Sequence, residues 1–279
     1  MMNSVLTAEH LQKFKEYLFC EEKSAATIDK YCRDVRIFLR FAAAQELKKE
    51  LTIAYKKHLE AQDYAVRSIN SMLASLNSFL EFLGRGDCKV KSIKVQRKAY
   101  CEEKQELTKG EYLRLLEAAK GKAQLQMVLQ AICSTGIRIS ELRYFTVEGV
   151  RRGEISVHCK SKTRTILIPG KLKKLLLAYA KQRQISAGAI FVTRSGKPLD
   201  RSNVWAQMKK LCDAAGVERA KVFPHNLRKL FARTFYRIEK DIAKLADILG
   251  HGSIETTRIY IMTTGIEHRK QIEKMGLVV

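Results

Sequence analysis

Proline is almost missing from this chain, with 3 in 279 residues, and glycine is sparse at 15. That excludes a fibrous or linker-rich protein. No apolar run approaches the roughly 18 residues a membrane span needs. Residues 1–10 carry neither the basic nor the apolar segment of a secretory signal. The seven cysteines (20, 32, 88, 101, 133, 159 and 212) are odd in number and include no Cys-x-x-Cys pair, which argues against a disulfide framework or a zinc site and for reduced thiols. No Asp-x-Asp pair occurs and the carboxylates are scattered, so nothing invites a two-metal nuclease. These absences describe a soluble cytoplasmic protein with no metal, no cofactor and no membrane partner. The apolar fraction of 46% is enough for a real core, divided between two domains.

Acidic residues are the other deficit. Against 29 Asp and Glu stand 52 Lys and Arg, a net charge of +23. Residues 1–95 hold 16 basic and 12 acidic side chains, a net +4, whereas 96–279 hold 36 and 17, a net +19. Such an excess points to a polyanionic partner. No segment combines Lys and Arg with Trp and Phe as a membrane-surface helix does, which leaves nucleic acid.

The first 84 residues read as four helices. Thr7 is placed to cap the first, with Leu11, Phe14, Tyr17 and Leu18 on its apolar side. Ser24 precedes a second carrying Ile28, Tyr31, Val35, Phe38 and Leu39. A third is predicted over 52–62. In the fourth, Val66, Ile69, Leu73, Leu76, Leu80 and Leu83 repeat every three or four residues before a Gly84 stop. Residues 85–106 carry six basic side chains after Arg85 and no helical stripe, which predicts a basic linker. A second domain, 107–279, opens with Thr108 and Glu111 spaced as a capping box and Leu107 and Tyr112 as a staple. Helices to about 135 precede a β-hairpin, 154–158 and 164–168, with a turn at 159–163. Further helices are predicted at 172–183, 200–215, 226–238 and 241–249, then a short one holding Tyr260. The fold class is mainly α with a small β-sheet (α+β).

Taken singly, the polar candidates are ordinary. His225 and Arg228 lie three apart at a helix start, hence on one face. Arg138 follows a glycine turn, Ser134-Thr135-Gly136-Ile137, into a helix, and Glu141 lies three residues on as an ion-pair partner. Lys160 stands where the first strand enters the hairpin turn. Leu249-Gly250-His251 ends a helix, and Tyr260 follows nine residues later. Together they supply the groups for metal-free attack on a phosphodiester. Guanidinium forks bind non-bridging oxygens, a phenol attacks if a neighbour takes its proton, and a lysine protonates the leaving alkoxide.

Here the sequence resembles the tyrosine recombinase (phage-integrase) family. The resemblance is carried by Thr135-Gly136-Ile137-Arg138-Ile139-Ser140-Glu141-Leu142, by Lys160, by His225-Asn226-Leu227-Arg228, and by the run from Leu249-Gly250-His251 to Arg258-Ile259-Tyr260. It covers essentially the whole chain, including a helical, SAM-like core-binding domain over 1–84. Where many relatives follow His-x-x-Arg with His-Thr-Phe, this chain has Lys229-Leu230-Phe231. The lysine assignment leaves Lys162 and Arg164 open as alternatives to Lys160.

The resemblance implies a site-specific DNA recombinase whose domains clamp duplex DNA. Tyr260 is then the nucleophile that forms a 3′-phosphotyrosyl bond, and Arg138 and Arg228 grip the phosphate. Lys160 protonates the leaving oxygen, His225 assists proton transfer, His251 hydrogen-bonds the phosphate, and Glu141 orients Arg138. It also implies a homotetramer on DNA target sites, with or without a sister recombinase, on nucleoid DNA. The short length before Thr7 matches the Xer- or transposon-type form without an arm-binding domain. The apolar residues between Ile266 and Val279 suit docking on a neighbour, with packing on the same chain left open as the alternative. The same residues leave two other functions open: a type IB topoisomerase and a non-catalytic DNA-binding regulator.

Overall fold

The computed structural model describes residues 8–43, 45–95, 106–159, 162–262 and 265–277. The chain divides into two compact units, residues 1–97 and 98–279.

The first unit is built on four helices, α1 (Ala8–Cys20), α2 (Ala25–Ala42), α3 (Lys49–Ala61) and α4 (Val66–Phe82). Thr7, the expected cap of α1, lies outside the described residues. Ser24 caps α2, its hydroxyl accepting from the Thr27 amide at 3.3 Å. The 3.6-residue stripes bury as expected, and Phe14, Phe38 and Phe79 are fully enclosed. The Phe14 and Phe79 rings meet edge to face at 5.1 Å. The buried polar groups of this interior are partnered: Asp34 accepts from Ser75 Oγ at 2.9 Å and pairs with Lys30 at 2.8 Å, and Thr52 Oγ1 donates to the Cys88 carbonyl at 2.8 Å. Gly84 ends α4 with φ +68°, and the Arg85 amide returns to the Leu80 carbonyl at 2.8 Å.

The expected linker starts later than residue 85. Residues 86–88 form a 3-10 turn, and the extended strand-like segment after it is tied to the helices. The Asn77 side chain exchanges two hydrogen bonds with Val90, at 2.8 and 2.9 Å, and Asn70 does the same with Ile93, at 2.9 and 2.7 Å. Cys88 and Val90 complete the core. Periodicity missed this because asparagines on a polar helix face stand in for a strand edge.

The second unit carries α5 (Lys109–Ala118), α6 (Ala123–Thr135), α7 (Val147–Arg152), β1 (Glu154–Cys159), β2 (Lys162–Leu167), α8 (Gly170–Gln182), α9 (Arg201–Lys209), α10 (Cys212–Ala215), α11 (Pro224–Glu239), α12 (Ile242–Leu249), α13 (Ile254–Ile261) and α14 (Gly265–Glu273). Both bonds of the capping box at Thr108 and Glu111 are made. Central α6, buried at Leu125, Val128, Leu129, Ala131 and Ile132, packs against α8, α9 and α11. The strands pair antiparallel from Glu154↔Leu167 to Cys159↔Lys162, so pairing extends further toward the tip than the expected five-residue turn allows. Ile155 and Val157 on β1, with Arg164 and Ile166 on β2, share the inward face. Two expected helices differ. Residues 139–144 form a 3-10 helix, because Glu141 turns back to the Arg138 amide. The predicted helix over 200–215 breaks between α9 and α10, where Leu211 and Cys212 both turn into the core.

Candidate active site

Three chain turns build the site. The first follows α6. Gly136 sits at φ +65°, and a Cβ there would lie 2.4 Å from the Phe231 ring and 2.9 Å from Leu249. Only glycine combines that backbone conformation with so close an approach. The turn delivers Arg138. Its amide donates to Glu141 Oε2 at 2.7 Å, its Nη1 to Glu141 Oε1 at 2.9 Å, and its Nη2 to the Gly250 carbonyl at 3.3 Å.

The second is the start of α11, where Pro224 occupies the first turn and places His225 and Arg228 on one face. Arg228 is 1% exposed. Its Nη1 donates to the Gly136 carbonyl, and its Nη2 to the Leu249 carbonyl at 2.7 Å and to His251 Nε2 at 3.0 Å. Burial, then repulsion from Arg138, pulls its pKa down to about 10, which leaves it a cation at neutral pH. Three acceptors and the partial negative charge of a helix end offset the burial of that charge.

The third turn is the end of α12. Gly250 takes φ +64°, and the His251 amide returns to the Ala246 carbonyl at 3.0 Å. The His251 ring lies between Arg228 and Thr257, whose Oγ1 is 2.8 Å from Nδ1. A guanidinium only donates, so Nε2 accepts and the proton of the neutral ring sits on Nδ1, facing Thr257. Burial, then Arg228, Arg138 and Arg164, lowers the His251 pKa to about 4. Burial, then Lys229, Arg228 and Arg138, also lowers that of His225. Both imidazoles are neutral at pH 7.

Tyr260 on α13 projects between these turns. Its ring packs with Ala232, Leu245 and Leu249, and it is 7% exposed. Both imidazoles meet it edge to face, His225 at 4.9 Å and His251 at 4.9 Å. The Tyr260 hydroxyl lies 3.4 Å from His225 Nδ1, and the Arg228 guanidinium carbon 5.9 Å from the ring centre. The phenol is therefore within reach of a neutral base and beside a cation.

Charge decides what this cleft attracts. Arg138 and Arg164 converge on one carboxylate, Glu141, which is 3% exposed, while the Arg228 guanidinium is held by carbonyls and His251 instead. Burial alone pushes Glu141 up, but its bonds to Arg164 and Arg138 outweigh this and hold it below the usual carboxylate range. With neutral histidines, the surplus is cationic and suits a phosphodiester. Among the described residues, no group of three or more His, Cys, Asp or Glu side chains is arranged to hold a metal ion.

The fold thus brings Arg138, Glu141, His225, Arg228, His251 and Tyr260 together. Lys160 lies outside the described residues. Arg164, one alternative to it, has its terminal nitrogens on Glu141, and a guanidinium does not deprotonate. Cys133, near the Gly136 turn, is a half-buried thiol whose desolvation pushes it up to about 12, and it is no nucleophile. Sequence reasoning did not single out Thr257, although its place one helical turn before Tyr260 put both on one face. It also passed over the three carbonyls, of Gly136, Leu249 and Gly250, that anchor the arginines.

Residues 105–265 match the phage integrase family, and residues 11–86 match the N-terminal SAM-like domain of phage integrases. The chain is 31% identical to tyrosine recombinase XerA of Thermococcus kodakarensis, over 97% of this chain and 96% of that one. It is 28% identical to XerA of Pyrococcus furiosus, over 100% and 98%. A lambda integrase tetramer bound to a Holliday junction shares its fold, with a TM-score of 0.70 at 20% identity over 90% of this chain and 79% of that one. Family matches over both units and relatives aligned along nearly the full length lead to one conclusion: this chain belongs to the phage integrase family of tyrosine recombinases.

Proposed function

We propose that this protein cuts and rejoins DNA at specific sites, with Tyr260 as the nucleophile. The scissile phosphate enters the cationic cleft, where Arg138 and Arg228 each turn a guanidinium onto its non-bridging oxygens. The Tyr260 hydroxyl gives its proton to His225 and its oxygen attacks phosphorus. The bond to the 5′ oxygen breaks, Lys160 protonates that oxygen, and a 3′-phosphotyrosyl link remains. His251 hydrogen-bonds the phosphate once Arg228 releases Nε2, because Thr257 can then donate to Nδ1 and allow the proton to sit on Nε2. Attack by a partner strand's 5′-hydroxyl reverses the step. The covalent link conserves the energy of the broken bond, so the exchange needs no nucleotide cofactor.

The observation carrying this reading is the Tyr260 hydroxyl held 3.4 Å from a neutral histidine and beside a buried arginine. Both units bind the duplex, largely through phosphates, so affinity falls steeply with salt. Exchange between two duplexes requires a tetramer on DNA. The exposed Ile272, Met275 and Leu277 in and after α14 support docking of this tail on a neighbouring copy. The reaction takes place on nucleoid DNA.

A duplex nicked next to the cleavage point tests this, because loss of the short flap traps the intermediate. A covalent protein–DNA band from the wild type that disappears in Tyr260→Phe is expected. No band on a bound cognate site makes the protein a DNA-binding regulator. Relaxation of a plasmid lacking any target site makes it a topoisomerase.

A further inference from the structure

We propose that Arg164 is a positioning residue of this site, holding the phosphate-gripping guanidinium of Arg138 through Glu141 and through the Gly250 turn. The inference rests on the function proposed above.

Arg164 occupies a strand position reserved for apolar side chains. It lies opposite Val157 and shares the inward face of β2 with Ile166. Its side chain is 14% exposed. An arginine so placed needs its charge paired, and the two terminal nitrogens are paired while the buried Nε has no partner among the described residues. Here Nη1 and Nη2 reach the two oxygens of Glu141 at 3.1 and 2.8 Å, a two-pronged pairing. The same two oxygens accept the Nη1 and backbone amide of Arg138. Glu141 therefore joins a fixed guanidinium on β2 to a working one on the Gly136 turn. Arg138 is the more exposed partner, at 36%, and must also face a phosphate. Alone, it would hold a buried carboxylate that any approach to DNA would leave unpaired. With Arg164 present, that carboxylate stays charged and stationary whatever Arg138 does.

The second contact is independent of Glu141. A Cβ added at Gly250 would lie 2.6 Å from Arg164 Nη1 and 2.7 Å from its Cδ, so the arginine stem packs directly on that turn. The Gly250 carbonyl is the other acceptor of Arg138. Arg164 thus touches both anchors of Arg138.

Single-turnover adduct formation on the nicked duplex is measured for wild type, Arg164→Met, Arg164→Lys, Glu141→Gln and the Arg164→Met/Glu141→Gln double variant, together with DNA affinity and melting temperature. Arg164→Met is expected to slow the adduct step by about 10- to 100-fold, the penalty of a misplaced catalytic group, with the Kd for DNA within about twofold of wild type, and Arg164→Lys recovers part of the rate. In the Glu141→Gln background, Arg164→Met is expected to cost several-fold less than it does in the wild type, because the Glu141 route is already lost and only the Gly250 contact remains. Loss of the Arg164 partner raises the Glu141 pKa toward what its burial favours, so the Arg164→Met rate is expected to fall more steeply on acidification than the wild-type rate.

Full-rate cleavage by Arg164→Met overturns the inference, and so do losses that multiply in the double variant while melting temperature falls in step. Should Arg164→Met fail to fold, Arg164→Lys decides: a slowed adduct at unchanged melting temperature and Kd supports the role, and an unslowed one refutes it. Absence of any wild-type adduct overturns the proposed function itself, a result distinct from a wild-type adduct that the Arg164 variants leave untouched.

Discussion

Gly136→Ala perturbs the site through a turn that touches no substrate. The residue has φ +65°, a conformation that costs a side-chain-bearing residue about 1–2 kcal/mol. The new methyl would sit 2.4 and 2.7 Å from Phe231 ring atoms and 2.9 Å from a Leu249 methyl. All are closer than carbon atoms approach, so α11 or the turn must shift, and overpacking of this kind costs about 1–3 kcal/mol. The combined destabilisation is about 2–5 kcal/mol, which in a unit of this size lowers Tm by roughly 4–20 °C. Chemistry suffers as well, because the displaced carbonyl is the one that receives Arg228 Nη1. Calorimetry of the full chain and adduct formation on the nicked duplex read the two effects. Gly153→Ala is the control: φ is +91° with no neighbour within 4 Å of a Cβ, so only the backbone cost of about 1–2 kcal/mol applies. If Gly136→Ala melts within about 1 °C of Gly153→Ala and cleaves at the wild-type rate, the close-packed turn is not what positions Arg228.

Arg228→Lys replaces a fork that serves two carbonyls and an imidazole with a single ammonium, and adduct formation is expected to fall about 10²- to 10³-fold while DNA affinity changes little; an unchanged cleavage rate would remove Arg228 from phosphate binding. Thr257→Val removes the partner of the half-buried His251 Nδ1–H, a loss of about 0.5–1.5 kcal/mol that Thr257→Ser restores, checked by urea unfolding. Because folding holds His251 at about 4 and also lowers His225, the unfolded chain binds protons first on acidification. Stability contributed by the neutral rings is complete above about pH 6.5 and is lost as pH falls toward 4. His251→Asn is expected to flatten that slope in the urea midpoint, and an unaltered slope would show that the folded chain does not hold the ring neutral.

Much of the fold could be read where one local rule was decisive. Gly84 as a helix stop, the Thr108–Glu111 capping box and the hairpin all rest on short-range physics and appear at the expected places. Side chains acting on distant backbone were not legible in this way. Asn70 and Asn77 look like helix-surface polar residues, yet they hold Ile93 and Val90 and move the first unit's edge past residue 85. The break at Leu211 serves burial of Leu211 and Cys212, which a helical count alone does not require. The convergence of the site's polar residues was legible only as a set, in their order along the chain. Arg164 was legible only as a turn cation that could stand in for Lys160, although strand alternation aligns it with the inward-facing Ile166. Its partner Glu141 sits on a different segment, 23 residues away, and no local pattern links the two.

The central claim is that the phenolic oxygen of Tyr260 becomes esterified to the cut strand. The most direct measurement digests the trapped protein–DNA adduct with protease and nuclease and identifies the modified peptide by mass spectrometry. The account predicts a nucleotide attached through its 3′ phosphate to Tyr260, with a free 5′-hydroxyl on the released strand. Attachment to any other residue, or through a 5′ phosphate, would contradict it.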